Sequence, residues 1–214
     1  MTAEGASHAT LMNAVYRRQR LIYDATRKYF LFGRDRLIEE LAPDDGARVL
    51  EVACGTGRNL ARIGRRYPGA ALYGLDISSE MLISARAKLG DDARLAEADA
   101  CAFDPGELFG TESFDRIVIS YAVSMIPDWR GAVRQSLQHL APGGELHIVD
   151  FGAQDGLPRL IKALLRRWLA AFHVAPRDDL EPTLARMADE MGLTSHSRPL
   201  YAGYSVLAAI RRPD

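Results

Sequence analysis

Glu51, Asp76 and Asp99 each stand in or just after a short apolar stretch, and the first is soon followed by a glycine turn, Gly55-Thr56-Gly57. An apolar strand, 48–52, that feeds a glycine turn and a helix starting near Arg58 is the nucleotide-binding corner of an α/β sheet. Glycine serves there because the backbone bends sharply and comes close to a ligand that a Cβ would obstruct. Absent features narrow the ligand. A dinucleotide fingerprint needs a third small residue where Leu60 stands. A P-loop ends in Gly-Lys-Ser/Thr, and no such ending follows. Glu51 would repel phosphate and suits a cationic ligand with a free amino group. The bland alternative is a tight strand-to-helix turn with no ligand.

Asp76 closes the next strand, 71–75, about twenty residues beyond the glycine turn, where an acid can accept both hydroxyls of a ribose. The same carboxylate would also serve to cap a helix starting at Ser78 or Ser79. Asp99, after 93–98, is by itself an ordinary loop acid.

The run Glu51-Val52-Ala53-Cys54-Gly55-Thr56-Gly57 resembles motif I of the class I methyltransferases, acidic-x-Gly-x-Gly-x-Gly, with Ala53 in place of the first glycine. That resemblance implies S-adenosylmethionine as cofactor. It assigns cofactor contacts to Glu51, Ala53, Gly55, Gly57 and Asn59, to Asp76 and Ile77, and to Met81 beside the adenine. Asp99 would take the adenine amino group and the Ala100 N–H a ring nitrogen, with Cys101 alongside. Ser120 and Tyr121, at the end of the fourth strand, would lie where the methyl group is presented. Upstream, Ile22-Tyr23-Asp24 with Gly33-Arg34 resembles a Tyr-Asp element of lipid-amine and quinone methyltransferases. There the tyrosine helps to close the cofactor pocket, a role the resemblance gives to Tyr23.

These residues need a sheet to hold them, and 214 residues with 48% hydrophobic and 26% charged side chains suit one globular domain, 1–214. Helices are expected at 59–67, from Ser78 or Ser79 to Leu89, and at 129–140 and 180–191. The fourth strand, 113–121, is continuous and β-branched and is predicted to be buried on both faces. A fifth strand is expected at 145–150. The stretches 194–200 and 203–211 are joined so tightly, through Tyr201-Ala202-Gly203, that they must form an antiparallel hairpin. The expected fold is α/β: a Rossmann-like, seven-stranded, mostly parallel sheet with an antiparallel C-terminal hairpin. This is the methyltransferase pattern rather than the dehydrogenase one.

Two flanking segments carry open alternatives. Residues 11–41 read as helical material broken at Gly33, and residues 1–36 hold seven Lys/Arg against three acids. The segment is either a lid that also touches an anionic surface or an ordinary packing helix. Residues 151–192 are expected to form the substrate side. Within them Leu157, Leu160, Ile161, Leu164, Leu165, Trp168, Leu169 and Phe172 make one helical stripe, opposite Arg159, Lys162, Arg166 and Arg167. Such a helix either buries its stripe in the core or lies on an anionic membrane.

Lys+Arg is 27 against Asp+Glu 28, which leaves no global basic field for nucleic acid. The Asn/Asp-Pro-Pro-Tyr/Phe run of amide-methylating DNA enzymes is absent after the fourth strand. Cys54 and Cys101 have no metal or redox spacing, which suits a reduced, cytoplasmic protein, and the histidines form no metal motif. No signal peptide or apolar run of ~18 residues is evident.

For the acceptor, Tyr16-Arg17-Arg18-Gln19-Arg20, residues 22–29, Gly33-Arg34-Asp35-Arg36, Phe172-His173-Val174 and Tyr204-Ser205-Val206-Leu207 together resemble the bacterial betaine-lipid N-methyltransferases. These trimethylate the amine of a diacylglyceryl-homoserine lipid. The related phosphatidylethanolamine N-methyltransferases share the Tyr-Asp element. The resemblance implies a lipid amine substrate at an anionic membrane surface, with the protein peripheral on the inner face. Desolvation would lower the ammonium pKa, and Tyr121, Asp150 or His173 could relay the proton. Tyr16, Tyr23, Tyr29 and Tyr121 are candidates to face a quaternary cation, and Arg27 or Arg34 to hold the homoserine carboxylate. A small-molecule or quinone methyltransferase, or a non-catalytic cofactor-binding partner, are the alternatives.

Overall fold

A computed structural model of the chain describes residues 31–172 and 174–214. Tyr16, Tyr23, Arg27, Tyr29 and His173, with the part of the expected lid before Leu31, lie outside the described residues.

Gly33, at φ 89°, takes a left-handed conformation that costs glycine little and starts helix α1, Arg34–Leu41. Leu37, Ile38 and Leu41 give α1 its buried side. Four strand–helix units follow: β1 (Arg48–Val52) and α2 (Arg58–Arg66), then β2 (Ala71–Asp76) and α3 (Ser79–Leu89). Next come β3 (Ala93–Glu97) with α4 (Pro105–Phe109), and β4 (Phe114–Ser120) with α5 (Trp129–Gln138). The chain then runs through β5 (Leu140–Phe151), α6 (Arg159–Ala170), α7 (Leu180–Glu190), β6 (Thr194–Leu200) and β7 (Ser205–Arg211).

The strands form one sheet in the order β3-β2-β1-β4-β5-β7-β6, and β7 alone runs against its neighbours. This is the expected seven-stranded α/β sheet with its antiparallel end. Its order reverses between β1 and β4, which puts the ligand crevice at their carboxyl ends. Both faces are covered, so the central strands are apolar without alternation. Ile117 and Leu146 point into a layer with Trp129, Val133, Leu184 and Met187, whereas Val118 and Val149 join Leu37, Leu60, Ile63 and Leu82 on the other side.

Three elements differ from expectation. β5 begins at Leu140, not 145, because Leu140 pairs with Phe114 before a register shift at Phe114/Arg116. The turn residues Pro142-Gly143-Gly144 are thereby absorbed into an irregular strand, and α5 stops at Gln138. Within 151–192, α7 buries Leu180, Leu184, Met187 and Ala188 beside α5. α6 turns its apolar stripe outward: Leu169 is its one buried residue, while Leu160, Ile161 and Leu164 are exposed. The core reading of that stripe therefore holds only for Leu165 and Leu169. The cause is that the inward side is anchored by polar groups, with Arg166 Nε on Gln154 Oε1 at 3.1 Å and Lys162 Nζ on Asp155 at 2.7 Å.

Candidate active site

β1 carries Glu51 to the crevice, where it is 2% exposed. Its Oε1 accepts a hydrogen bond from Asn59 Nδ2 at 2.7 Å, and its Oε2 has no partner among the described residues. Burial pushes the carboxyl up to about 8, against the opposing pull of Asn59 and of the Arg34 charge. An orphaned, desolvated carboxylate oxygen is a vacancy for an N–H donor, and a cationic one above all. Asn59 thus reaches the site through Glu51.

The turn after β1 uses left-handed backbone at Ala53 (φ 56°), Gly55 (φ 55°) and Gly57 (φ 69°). The two glycines have different reasons. A Cβ on Gly57 would come within 2.6 Å of Leu89 Cδ1 and 3.2 Å of Ala85, so this glycine lets α2 pack on α3. A Cβ on Gly55 would meet nothing within 4 Å, so the space beside it is open and only its left-handed backbone calls for glycine. Ala53 adopts the conformation a glycine would take more cheaply.

Asp76 ties two turns together: Oδ2 accepts from the Gly55 N–H at 2.8 Å and Oδ1 from the Ser78 N–H at 2.9 Å. Ser78 in turn caps α3 by accepting from the Met81 N–H, and Met81 is buried. A carboxylate offers about four acceptor directions, so this stapling and recognition of a ribose are compatible. Ile77, between them, is half-buried. Asp99 Oδ1 accepts from the Cys101 N–H at 2.9 Å, which fixes the loop holding Ala100. The Cys101 thiol sits 3.3 Å from the Asp128 carbonyl and is pushed up to about 12 by burial and neighbouring acids, so it stays neutral.

At the end of β4, Ser120 Oγ is buried without a partner among the described residues. Tyr121 follows at φ 55°, buried, with its hydroxyl donating to the Phe32 carbonyl. Burial and the nearby Asp150 charge hold this phenol well above its ordinary pKa. Asp150 is buried and accepts backbone N–H groups from Ser124 at 3.1 Å and Phe151 at 2.7 Å, joining the end of β5 to the loop after β4. Burial raises its pKa. Arg34 donates from Nε to the Leu31 carbonyl at 3.2 Å, and its charge opposes the rise in the pKa of both Glu51 and Tyr121.

Sequence reasoning missed an aromatic wall at this edge. Tyr121 meets Phe151 edge-on at 4.8 Å, Phe151 meets Tyr204 at 5.7 Å, and Tyr204 meets Phe32 at 5.2 Å. Its members come from four separate segments, so no local pattern announces it. Gln154 was missed as well: it is buried at φ 62° and couples the loop after β5 to α6 through Arg166. No cluster of His, Cys, Asp or Glu among the described residues is arranged to hold a metal.

The switch-point crevice, the orphaned Glu51 oxygen, the open space beside Gly55 and the strand-end acids Asp76 and Asp99 fit S-adenosylmethionine and define a class I methyltransferase. Residues 49–144 match the family described as a methyltransferase domain, and the chain belongs to the S-adenosylmethionine-dependent methyltransferases. It is 33% identical over 181 residues to a ubiquinone/menaquinone biosynthesis C-methyltransferase of Paracoccus denitrificans, covering 78% of this chain and 68% of that one. It is 36% identical over 124 residues to a phosphatidylethanolamine N-methyltransferase of Cereibacter sphaeroides, covering 56% of this chain and 60% of the relative. Matches to such relatives thus span about 60–68% of their lengths. Among solved structures, the plantazolicin methyltransferase BpumL, in complex with a substrate analogue and S-adenosylhomocysteine, superposes with a TM-score of 0.72 at 13% identity. That match covers 99% of this chain and 98% of the other, and it bears on the fold alone.

Proposed function

We propose that the protein methylates the amine of a membrane lipid, with diacylglyceryl-homoserine as the favoured acceptor. The observation that supports this reading is the aromatic cluster of Phe32, Tyr121, Phe151 and Tyr204 at the carboxyl ends of β4 and β5, in which Tyr121 and Phe151 are buried and Phe32 is exposed. Each methylation makes the product a more permanent cation, and aromatic faces attract such cations. The similarity to a phosphatidylethanolamine N-methyltransferase supports a lipid amine and keeps that lipid as a second acceptor.

When bound, S-adenosylmethionine supplies an electrophilic methyl group on a sulfonium. The residues then have positioning roles. Glu51 and the Gly55 turn would hold the methionine end, Asp76 the ribose, and Asp99 with Ala100 the adenine. Desolvation at the site would lower the pKa of the acceptor amine, so that it gives its proton to bulk water as it enters and presents a neutral nitrogen to the methyl group. The Tyr121 hydroxyl is engaged with Phe32, and Asp150 with backbone groups, so both serve this reading as fixed structural groups rather than proton acceptors. Arg34 beside Glu51 is the candidate for a carboxylate, whether of the cofactor or of a homoserine headgroup. Residues 11–30, with Tyr23, would close the site, and the protein would be cytoplasmic and peripheral.

The similarity to a quinone-pathway C-methyltransferase favours a second reading, methylation of a quinone-type ring. Labelled S-adenosylmethionine offered with liposomes containing diacylglyceryl-homoserine, phosphatidylethanolamine or neither, and separately with a demethylated quinone, separates the readings. Label in the homoserine lipid supports the first. Label only in phosphatidylethanolamine moves the acceptor, and label only in the quinone sinks the lipid-amine reading.

A further inference from the structure

α6 is an amphipathic helix mounted inside out. On its inner side Leu169 joins Tyr121, Phe151 and Val174 in the core, and the neighbouring basic groups are spent on the protein. Arg166 bonds Gln154 and pairs with Asp178, and Lys162 pairs with Asp155. The outward face is apolar: Leu160 is 73% exposed, Ile161 52% and Leu164 60%. Phe172, just past the helix, is exposed too. Leu160 and Leu164 lie one turn apart, and exposed Arg159 and Arg167 flank them with no ion pair among the described residues. No acid lies between Leu157 and Phe172.

The position of this face matters as much as its composition. The loop before α6 is tied to the β6–β7 turn by Gln154 N–H on the Gly203 carbonyl at 2.8 Å and Gly156 N–H on Ala202 at 3.1 Å. After α6, the Ala175 N–H binds the Ser124 carbonyl at 2.9 Å. Both anchors sit at the carboxyl edge of the sheet, where the cofactor crevice opens. Phe32 and Tyr201, tilted against each other with ring centroids 5.6 Å apart and both exposed, stand at the same edge. Apolar groups in a row with unpaired arginines beside them match the interface of an anionic bilayer: side chains enter the acyl boundary and guanidinium groups meet lipid phosphates.

We infer that the outward face of α6, through Leu160, Ile161 and Leu164 with Arg159 and Arg167, docks the protein on an anionic membrane surface with the crevice mouth turned toward the lipid. This deepens the lipid-amine reading and names the surface that reading needs. No described helix is long and apolar enough to cross a membrane, so the contact is peripheral.

The test is flotation of the full chain with vesicles of phosphatidylcholine containing phosphatidylglycerol, and with phosphatidylcholine alone. Vesicle binding is scored separately from methyl transfer to a lipid amine in detergent micelles. Wild type should float with the anionic vesicles. Leu160→Glu with Leu164→Glu should weaken binding at least tenfold, and Arg159→Ala with Arg167→Ala about fivefold per arginine. Ile83→Glu, an exposed apolar position on α3, should change nothing. Each variant should keep its thermal shift with S-adenosylhomocysteine, which shows that it is folded. Wild type that binds cofactor but does not float overturns the docking surface, as does a Leu160/Leu164 variant that floats like wild type. A dimer that the glutamates dissociate, with no vesicle binding, also overturns it and makes the face a self-association surface. Flotation without transfer to any lipid amine would instead remove the acceptor reading and leave the docking surface standing.

Discussion

The amide of Asn59 donates to one oxygen of Glu51 at 2.7 Å while the other oxygen, equally buried, has no partner among the described residues. A hydrogen bond on one side only leaves the carboxyl desolvated but oriented, and its pKa stands at about 8. At neutral pH the free protein therefore holds Glu51 mostly protonated. An ammonium arriving at the vacant oxygen favours the charged form, so binding expels that proton. Affinity for S-adenosylhomocysteine should rise with pH and level off above about 8. Calorimetry in two buffers of different ionisation enthalpy should show proton release at pH 7 and little at pH 9. Glu51→Gln should remove the release and weaken binding about tenfold; release that survives in this variant would mean another group is responsible.

The same residue makes a stability statement of opposite sign. Its folded pKa is raised above the unfolded value of about 4.5. The stability linked to its protonated form is present in full below about pH 4.5 and is lost as pH rises through about 8. Without cofactor, the wild-type melting temperature should fall across that window. Glu51→Gln should flatten the fall, and the two proteins should diverge by an amount on the order of a few kcal/mol at pH 8.5. Melting curves from pH 5 to 8.5 measure this; parallel curves would mean that Glu51 is not titrating.

The sheet and the motif I corner were legible because local signals and global fold agree there. Ile117-Val118-Ile119 at the centre of β4 is apolar without alternation because both of its faces are covered, and the short Tyr201-Ala202-Gly203 joint forces the final antiparallel pair. The start of β5 was not legible, since Pro142-Gly143-Gly144 reads as a turn and only pairing of Leu140 with Phe114 makes it strand. The stripe on α6 was visible but its direction was not. Periodicity shows that a helix has two faces; Gln154, Asp155 and Asp178, from other segments, decide which one turns inward. The aromatic wall needs four segments brought together, and only tertiary structure does that.

The two glycines of the turn should separate in experiment. Gly57→Ala places a Cβ 2.6 Å from Leu89 Cδ1 at φ 69° and should cost about 2 kcal/mol or more of stability. Gly55→Ala meets no neighbour and should cost only about 1 kcal/mol for its left-handed backbone. In the proposed cofactor site its methyl group would crowd the methionine end, so cofactor affinity should fall at least tenfold. Ala53→Gly relieves φ 56° and should leave stability level or raise it by about 0.5 kcal/mol, because glycine also loses more entropy on folding. Denaturant melts with and without S-adenosylhomocysteine separate the three outcomes.

Tyr121 allows wall and base to be told apart. Its hydroxyl donates to the Phe32 carbonyl, and its pKa is held well above the ordinary value, so it does not supply a phenolate at neutral pH. Tyr121→Phe keeps the ring against Phe151 and removes the hydrogen bond. It should cost about 1–3 kcal/mol of stability and leave kcat within about threefold. A fall in kcat of a hundredfold or more, with a shifted pH–rate profile, would make the hydroxyl a catalytic group. Tyr121→Leu removes the ring as well. It should weaken inhibition by the quaternary product about threefold to tenfold more than it raises KM for the primary amine, since a cation–π contact is worth about 0.5–2 kcal/mol and acts on the permanent cation most. Equal effects on both ligands would show that the wall supplies shape alone.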